Sequence, residues 1–160
     1  MHLEIERKFL VASERWREAA DSGVLIRQGY LARGRASVRV RLLGDRAFLA
    51  IKGPRRGLTR HEFEYEIPWG EAELMLADYA AAPMVEKTRF EVAHGRHVWE
   101  VDVYGGALTG LVLAEIELDR EDEAFERPAW LGAEVSGDAR FSWEGLARRA
   151  AGQASIGAPV

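Results

Sequence analysis

Charged and apolar side chains alternate near the start of the chain, in the run Glu4-Ile5-Glu6-Arg7-Lys8. In a β-strand this two-residue period places Glu4, Glu6 and Lys8 on one face. Like charges side by side on a strand are unfavourable unless a metal ion or a partner charge offsets them. The run therefore predicts a strand whose charged face lies against something multivalent.

The same alternation recurs along the chain, with basic pairs on some predicted strands and acidic pairs on others. The aligned pairs are Arg39 with Arg41, Lys87 with Arg89, Glu100 with Asp102, and Glu115 with Glu117. Carboxylates suit divalent cations, whereas guanidinium and ammonium groups suit phosphate oxygens. Ordinary protein surfaces mix the two signs, so the sorted series favours a metal and polyphosphate site over strands with solvated outer faces.

Lysine is rare in this chain. Of the 22 basic residues only Lys8, Lys52 and Lys87 are lysines, and each falls on a predicted strand in the charged series. Since Lys and Arg are not interchangeable in chemistry, this placement adds Lys52 to the basic set.

The composition narrows the class of protein. A chain of 160 residues with 48% hydrophobic residues is large enough for one domain with its own core. The absence of cysteine excludes disulfides, thiolate zinc sites and a cysteine nucleophile, and the net charge of -4 argues against a general nucleic-acid binder. Because charge begins at Glu4 and no apolar run approaches the length of a bilayer span, we expect a cytoplasmic protein without a signal peptide or membrane segment.

The apolar and charged periods predict a mainly β (α+β) fold, a closed eight-stranded antiparallel barrel with helices on its outside. Either face of the strands is compatible with an inward position. Four helical segments with apolar stripes need a surface to cover, which favours an apolar outer face and a polar tunnel inside. We expect this domain to span 1–151 and residues 152–160 to form a disordered tail. The predicted strands cover 3–11, 24–32, 36–43, 46–52, 59–67, 85–94, 97–104 and 111–119, and the predicted helices cover 13–21 with Ser13 as N-cap, 70–81, 121–126 and 142–151 with Ser142 as N-cap.

The ordered series of charged pairs resembles the CYTH or triphosphate tunnel metalloenzyme family, and most of all its short bacterial inorganic triphosphatase branch. The resemblance spans nearly the whole domain. One local departure is Phe141-Ser142-Trp143, where relatives commonly have Tyr and then Asn before the last helix, and it leaves the tunnel motifs untouched. The resemblance rests on Glu4-x-Glu6-x-Lys8, Gln28-Gly29-Tyr30, Arg39-x-Arg41, Lys52-Gly53, Glu62-Phe63-Glu64-Tyr65-Glu66, Lys87-x-Arg89, Glu100-x-Asp102 and Glu115-x-Glu117, with the runs 26–31 and 130–135 pointing to the short branch.

The resemblance implies an enzyme that hydrolyses inorganic triphosphate to diphosphate and phosphate with a divalent metal. Its partners would be a small-molecule triphosphate or polyphosphate, without nucleic acid or membrane, and the chain would be a monomer or homodimer. The implied phosphate-binding residues are Lys8, Arg39, Arg41, Lys52, Lys87 and Arg89. The implied ligands of a first Mg²⁺ or Mn²⁺ are Glu4, Glu6, Glu115 and Glu117, and either Glu100 or Asp102 would hold a second ion or its waters.

Several roles stay open at this point. Lys8 either touches phosphate or relieves the repulsion between Glu4 and Glu6. The attacking water is activated either by an acidic residue beside the metal or by Tyr30, whose phenol pKa we expect a neighbouring Lys87 to lower. Tyr30, Lys87 and Lys8 are therefore the candidate catalytic residues.

Other charged residues near these motifs have two interpretations each. Glu62, Glu64 and Glu66 align on the charged face, and each is either a metal ligand or a counter-ion of tunnel arginines. We expect Glu62 and Glu66 to be counter-ions. Arg55 and Arg56 form either a solvated loop or a flap that helps to capture substrate.

Two other functions are compatible with the same residues. The first is another tunnel enzyme, either a nucleoside or thiamine triphosphatase or a class IV-type adenylate cyclase, although no residues here build an evident adenine pocket. The second is a non-catalytic polyphosphate-binding module. Metal-dependent release of phosphate from tripolyphosphate, compared with release from ATP, separates these possibilities.

Overall fold

The computed structural model describes residues 3–152. The tail that we predict to be disordered lies outside the described residues from 153 onward.

Nine strands are present in the described part of the chain, and eight of them close into a barrel. Neighbouring strands are antiparallel in the order β5-β4-β3-β2-β6-β7-β8-β1, and β1 pairs with β5 to complete the circle. The short ninth strand extends the sheet from β1. The predicted closed eight-stranded antiparallel barrel is confirmed. The strands are β1 (Leu3–Val11), β2 (Val24–Ala32), β3 (Ser37–Leu43), β4 (Arg46–Lys52), β5 (Thr59–Ile67), β6 (Ala81–His94), β7 (His97–Tyr104), β8 (Val112–Glu117) and β9 (Leu131–Glu134).

The register of the strands turns the charged faces toward one another. Glu6 lies opposite Glu117, and Lys8 lies opposite Glu115. Since side chains alternate between the two faces of a strand, Phe9, the residue after Lys8, points the other way and is fully buried in the core outside the barrel wall. The charged face therefore points inward, and the barrel encloses a polar tunnel.

Helices cover parts of the apolar outer face. Helix α1 (Trp69–Asp78) buries Ala72 and Leu76 against β3, where they meet Val40 and Leu42. Helix α2 (Trp143–Ala150) buries Leu146 in a second cluster beside the other end of the wall. None of the helices within residues 3–152 is long and apolar enough to span a membrane.

A third apolar cluster lies under a short 3₁₀ segment. This segment, Glu14–Ala19, places the fully buried Trp16 against Phe90, with the ring centres 5.1 Å apart. The same cluster contains Trp99 and Trp130, whose rings meet edge to face. Burial of these large aromatic side chains supplies a major part of the hydrophobic stabilisation of the wall. Two further 3₁₀ turns are Gly106–Leu108 and Ala139–Phe141.

Of the two predicted N-cap residues, only Ser142 makes a capping hydrogen bond through its side chain. Ser142 caps α2 as expected, because its hydroxyl accepts a hydrogen bond from the Gly145 amide at 3.1 Å. Ser13 makes no such side-chain bond. The helix predicted over 121–126 is wrong, since the segment is a turn and loop. Its carboxylates bind other elements, with Glu121 accepting from the Thr59 hydroxyl at 2.6 Å and Glu123 contacting His97 at 2.8 Å.

Candidate active site

The barrel encloses a cavity of about 780 Å³ that is lined by side chains from all eight barrel strands. All three lysines of the chain line it. The six predicted phosphate-binding residues face this cavity, and so does the candidate catalytic Tyr30. Of the predicted metal ligands, Glu4, Glu6, Glu100, Glu115 and Glu117 line the cavity, whereas Asp102 does not.

One side of the cavity carries cations from β3 and β4 and carboxylates from β5. Arg41 donates two hydrogen bonds to Glu64, at 3.0 and 2.9 Å, while Arg39 reaches Glu62 at 3.3 Å and Glu64 at 3.4 Å. Lys52 donates to Glu62 at 2.7 Å. Burial lowers the pKa values of Lys52 and Arg41, and the positive charge of Arg39 lowers both further. The cations on this side are therefore only partly neutralised, which favours binding of an anion.

The opposite side is organised around Asp102, which is fully buried. Its carboxylate accepts hydrogen bonds from Lys87 and, at 2.7 and 2.8 Å, from Arg89. Burial opposes ionisation of Asp102, but the two cations outweigh it and lower its pKa. Asp102 thus holds Lys87 and Arg89 side by side, as a counter-ion that these two lining side chains contact.

The two cations next to Asp102 differ in their proton affinity. Burial and the adjacent Arg89 lower the pKa of Lys87. Arg89 also donates to Glu115 at 3.0 Å, and its own pKa is raised because its acidic neighbours, led by Asp102, outweigh its burial. Glu100 is the third carboxylate near Arg89, at 2.5 Å, and burial raises its pKa to about 7.

Strand β1 supplies both charges of the predicted first motif. Glu4 accepts hydrogen bonds from Arg60 and, at 3.4 Å, from Lys52. Lys8 pairs with Glu115 at 3.1 Å and donates to the Phe141 carbonyl at 3.3 Å, which ties β1 to the segment before α2. Burial opposes the charge on Lys8, but its acidic neighbours outweigh burial and raise its pKa.

Negative charge is in excess at the Glu6 end of the cavity. Burial raises the pKa of Glu6, followed by the charges of Glu115 and Glu4. Burial also raises the pKa of Glu117, followed by the charges of Glu4 and Glu6. Within residues 3–152 no group of three His, Cys, Asp or Glu side chains is arranged to hold a metal ion as the side chains stand. The donor chemistry nevertheless fits a divalent cation, because a cation would relieve this repulsion and carboxylates are suitable ligands.

The expectation that Lys87 lowers the pKa of the Tyr30 phenol is wrong. Tyr30 packs on Trp143, with ring centres 4.5 Å apart, and lies beneath the Arg33 guanidinium at 5.1 Å. Burial raises its pKa, so it is a protonated phenol at neutral pH. The tyrosine opposite Lys87 in the strand register is Tyr104, whose ring centre lies 5.5 Å from the ammonium group.

Arg60 and Tyr104 are among the polar residues of the cavity that sequence reasoning missed. Both follow the two-residue period, since Arg60 precedes Glu62 by two positions and Tyr104 follows Asp102 by two. Adding one more residue at the two-residue spacing to each run of charged positions identifies both.

The remaining charged residues fall into different places. Glu62 contacts Lys52 and Arg39, in agreement with a counter-ion position. Glu66 instead pairs with Arg46, at 2.6 Å on the exposed surface, and not with an arginine of the predicted set. Arg55 and Arg56 are both exposed, but Arg55 lines the cavity and lies 3.7 Å from Glu6, whereas Arg56 does not line it.

Two curated proteins are similar to this chain along most of its length. The chain is 44% identical to the inorganic triphosphatase of Acetivibrio thermocellus over 142 residues, which cover 88% of this chain and 90% of that protein. It is 39% identical to the inorganic triphosphatase of Nitrosomonas europaea over 150 residues, which cover 90% and 96% of the two chains.

Solved structures share the fold. The crystal structure of an inorganic triphosphatase superposes with a TM-score of 0.63 at 36% identity, covering 90% of this chain and 93% of that chain. A putative adenylate cyclase from Bacillus halodurans has the same fold, with a TM-score of 0.57 at 20% identity over 76% and 84% of the two chains. Residues 2–149 match the family model described as the CYTH domain. The chain belongs to the CYTH family.

Proposed function

We propose that this protein hydrolyses inorganic triphosphate to diphosphate and orthophosphate inside the tunnel, with Mg²⁺ or Mn²⁺. The observation that carries the proposal is the convergence of six predicted phosphate-binding cations on one enclosed cavity of about 780 Å³, opposite a set of under-neutralised carboxylates. The names of the two curated relatives support the same reaction.

The substrate binds between two groups of cations. Arg39, Arg41 and Lys52 lie on one side, and Lys87 and Arg89 lie on the other. A triphosphate carries negative charge along its whole length, and guanidinium groups bind phosphate oxygens through paired hydrogen bonds. Because Glu62 and Glu64 now occupy the first group, binding requires phosphate oxygens to replace carboxylate oxygens as partners.

Carboxylates at the Glu6 end are the proposed ligands of the divalent cation. Glu6 and Glu117 are the principal candidates, with Glu4 and Glu115 beside them. When bound, the cation supplies positive charge that polarises phosphate oxygens and offsets the charge of the carboxylates. Glu100 remains a candidate ligand in the cavity, whereas the contacts of Asp102 favour the counter-ion role described above.

Hydrolysis requires water to attack a terminal phosphorus in line with the bond that breaks. The bond between that phosphorus and the bridging oxygen is cleaved, diphosphate leaves, and the proton of the water passes to a base or to solvent. Lys87 and Arg89 stabilise the charge that moves onto the phosphate oxygens, since Asp102 fixes both cations before the substrate arrives. Lys8 extends this cationic surface toward Glu115.

The protonated Tyr30 is a hydrogen-bond donor in this scheme and not a base. Its phenol would have to lose a proton that burial retains. We therefore place the base among the carboxylates at the acidic end of the cavity. This is the alternative in which an acidic residue beside the metal activates the water.

The test is release of phosphate from tripolyphosphate, ATP, thiamine triphosphate and long-chain polyphosphate, each with Mg²⁺, with Mn²⁺ and with EDTA. Metal-dependent release from tripolyphosphate that far exceeds release from ATP supports the proposal. Dominant turnover of ATP or of thiamine triphosphate would replace it with another tunnel activity. Tight binding of polyphosphate without release would indicate a binding module.

We expect the protein to act in the cytoplasm as a monomer or homodimer on a small-molecule substrate, without nucleic acid or membrane. Size-exclusion chromatography with light scattering measures the oligomeric state directly.

A further inference from the structure

Three buried polar side-chain atoms without hydrogen-bond partners in the described part of the chain lie on neighbouring strands of the tunnel wall, and one of them is Nε of Arg39 on β3, which lies opposite Tyr30 in the register. The other two belong to residues that lie opposite each other. One is Oε1 of Gln28 on β2, and the other is Nε of Arg41 on β3, and neither has a partner within the described residues. Both side chains line the cavity, and Gln28 is only 7% exposed. Buried polar groups in native proteins are nearly always hydrogen-bonded, so an unpaired acceptor and an unpaired donor on paired strands require an explanation.

The strand register places these two residues directly opposite each other. Gln28 pairs with Arg41 between β2 and β3, and it pairs with Val85 between β2 and β6. Directly opposite residues of antiparallel strands have Cβ atoms about 5 Å apart, within the reach of a glutamine and an arginine. Val85 offers no polar side-chain group, so Arg41 is the polar neighbour directly across from Gln28.

The present contacts of Arg41 explain why the bond is not made in this state. Its guanidinium is drawn toward Glu64 by two hydrogen bonds, at 3.0 and 2.9 Å. A phosphate that takes the place of Glu64 frees the guanidinium to rotate. The Nε–H then needs an acceptor, and a neutral amide oxygen provides one without adding negative charge next to the phosphate.

We propose that Gln28 is a positioning residue for substrate binding. When phosphate replaces Glu64 as the partner of Arg41, the Gln28 amide oxygen accepts a hydrogen bond from Arg41 Nε and fixes the plane of the guanidinium against the phosphate. This inference rests on the proposed function, because it assigns a role to Gln28 in binding the same triphosphate.

A double-mutant cycle tests the coupling of the two residues. Gln28→Met removes the acceptor at nearly constant volume, and Arg41→Lys keeps the positive charge but removes Nε. In the wild-type background Gln28→Met lowers kcat/KM for tripolyphosphate about tenfold, as expected for a hydrogen bond to a charged group. In the Arg41→Lys background the same substitution changes kcat/KM by less than about twofold, because the bond is already absent.

Binding provides a second readout that does not depend on turnover. Calorimetric titration with tripolyphosphate in EDTA follows the same pattern, a loss of about tenfold in affinity that disappears in the Arg41→Lys background. The matched control is Arg27→Leu on the outer face of the same strand, where Arg27 pairs with Glu73 at 3.9 Å. It leaves kcat/KM unchanged within about twofold, since it tests only perturbation of β2.

The outcomes separate the inference from the proposed function. Equal losses from Gln28→Met in both backgrounds, or no loss in the wild-type background, overturn the positioning role. If Gln28→Met does not fold, the cycle is repeated with Gln28→Leu under the same criteria. A wild-type protein that releases no phosphate from tripolyphosphate overturns the proposed function, and the calorimetric cycle then still decides whether Gln28 acts through Arg41.

Discussion

Removal of the charge of Asp102 tests the electrostatic organisation of the tunnel wall. Asp102→Asn retains the shape of the side chain but leaves Lys87 and Arg89 buried together without their shared counter-ion. Removing one partner of a buried ion pair costs about 3–5 kcal/mol. Glu115 still lies 3.0 Å from Arg89 and compensates in part, so we expect a loss near the lower end, about 3 kcal/mol in the free energy of unfolding.

The assay is urea unfolding of the wild type and the variant, with Asp122→Asn as the matched control. Asp122 pairs with Arg120 at 2.7 Å, but both side chains are more than 70% exposed, so its loss leaves the free energy of unfolding almost unchanged. The pKa of Asp102 is lowered in the folded state, and its contribution is therefore complete above its ordinary value of 3.8 and declines as the pH falls. A loss below about 1 kcal/mol at neutral pH, equal to that of the exposed control, would refute the assigned role.

Three further predictions follow from the same structure. Trp99→Ala removes a fully buried ring from the core outside the barrel and lowers the free energy of unfolding by about 3–5 kcal/mol, and a loss below 1 kcal/mol in urea unfolding would contradict that packing. Tyr30→Phe keeps the shape of the wild-type pH-rate profile up to about pH 10, because burial holds the phenol protonated. A change in rate at alkaline pH that the wild type shows and the variant lacks would indicate that the phenol ionises. The cations Lys8, Lys87 and Arg89 outweigh burial and hold the pKa of Glu115 well below its ordinary value of 4.5, so its charge stabilises the fold above that value and this contribution is lost in acid. The difference in unfolding free energy between the wild type and Glu115→Gln therefore shrinks as the pH falls. A difference that does not depend on pH argues against this role of Glu115.

The barrel and most of its polar lining follow from the two-residue period of the sequence. Glu4, Glu6 and Lys8 share a face whatever the tertiary structure, and the need to cover the alternate apolar face decided that the charges point inward. The strands β1, β2, β4, β5 and β7 have the predicted bounds. The short strand β9 was missed, because its four residues carry no clear period and it forms through pairing with β1.

Contacts between distant strands set the limit of sequence reasoning. The two-residue period of the sequence does not show which tyrosine lies opposite Lys87, because this depends on the register in which β6 pairs with β7. In the observed register it is Tyr104. Asp102 shares the inner face of β7 with Glu100 and Tyr104, but Lys87 and Arg89 bind it and it does not line the cavity. This counter-ion position depends on the same register. The segment 121–126 has helical composition, but its carboxylates bind Thr59 and His97 on other elements, and these tertiary contacts override local propensity.

The most direct test of the central claim compares the wild type with a Glu4→Gln/Glu6→Gln variant for release of orthophosphate from tripolyphosphate in Mg²⁺ and in EDTA. We expect the wild type to release orthophosphate and diphosphate in equal amounts in a metal-dependent reaction. We expect the variant to lose this activity, although it still binds tripolyphosphate through the intact cationic side of the tunnel. Full activity of the variant, or equal release in EDTA, would contradict the claim that these carboxylates and a divalent cation carry out triphosphate hydrolysis in this tunnel.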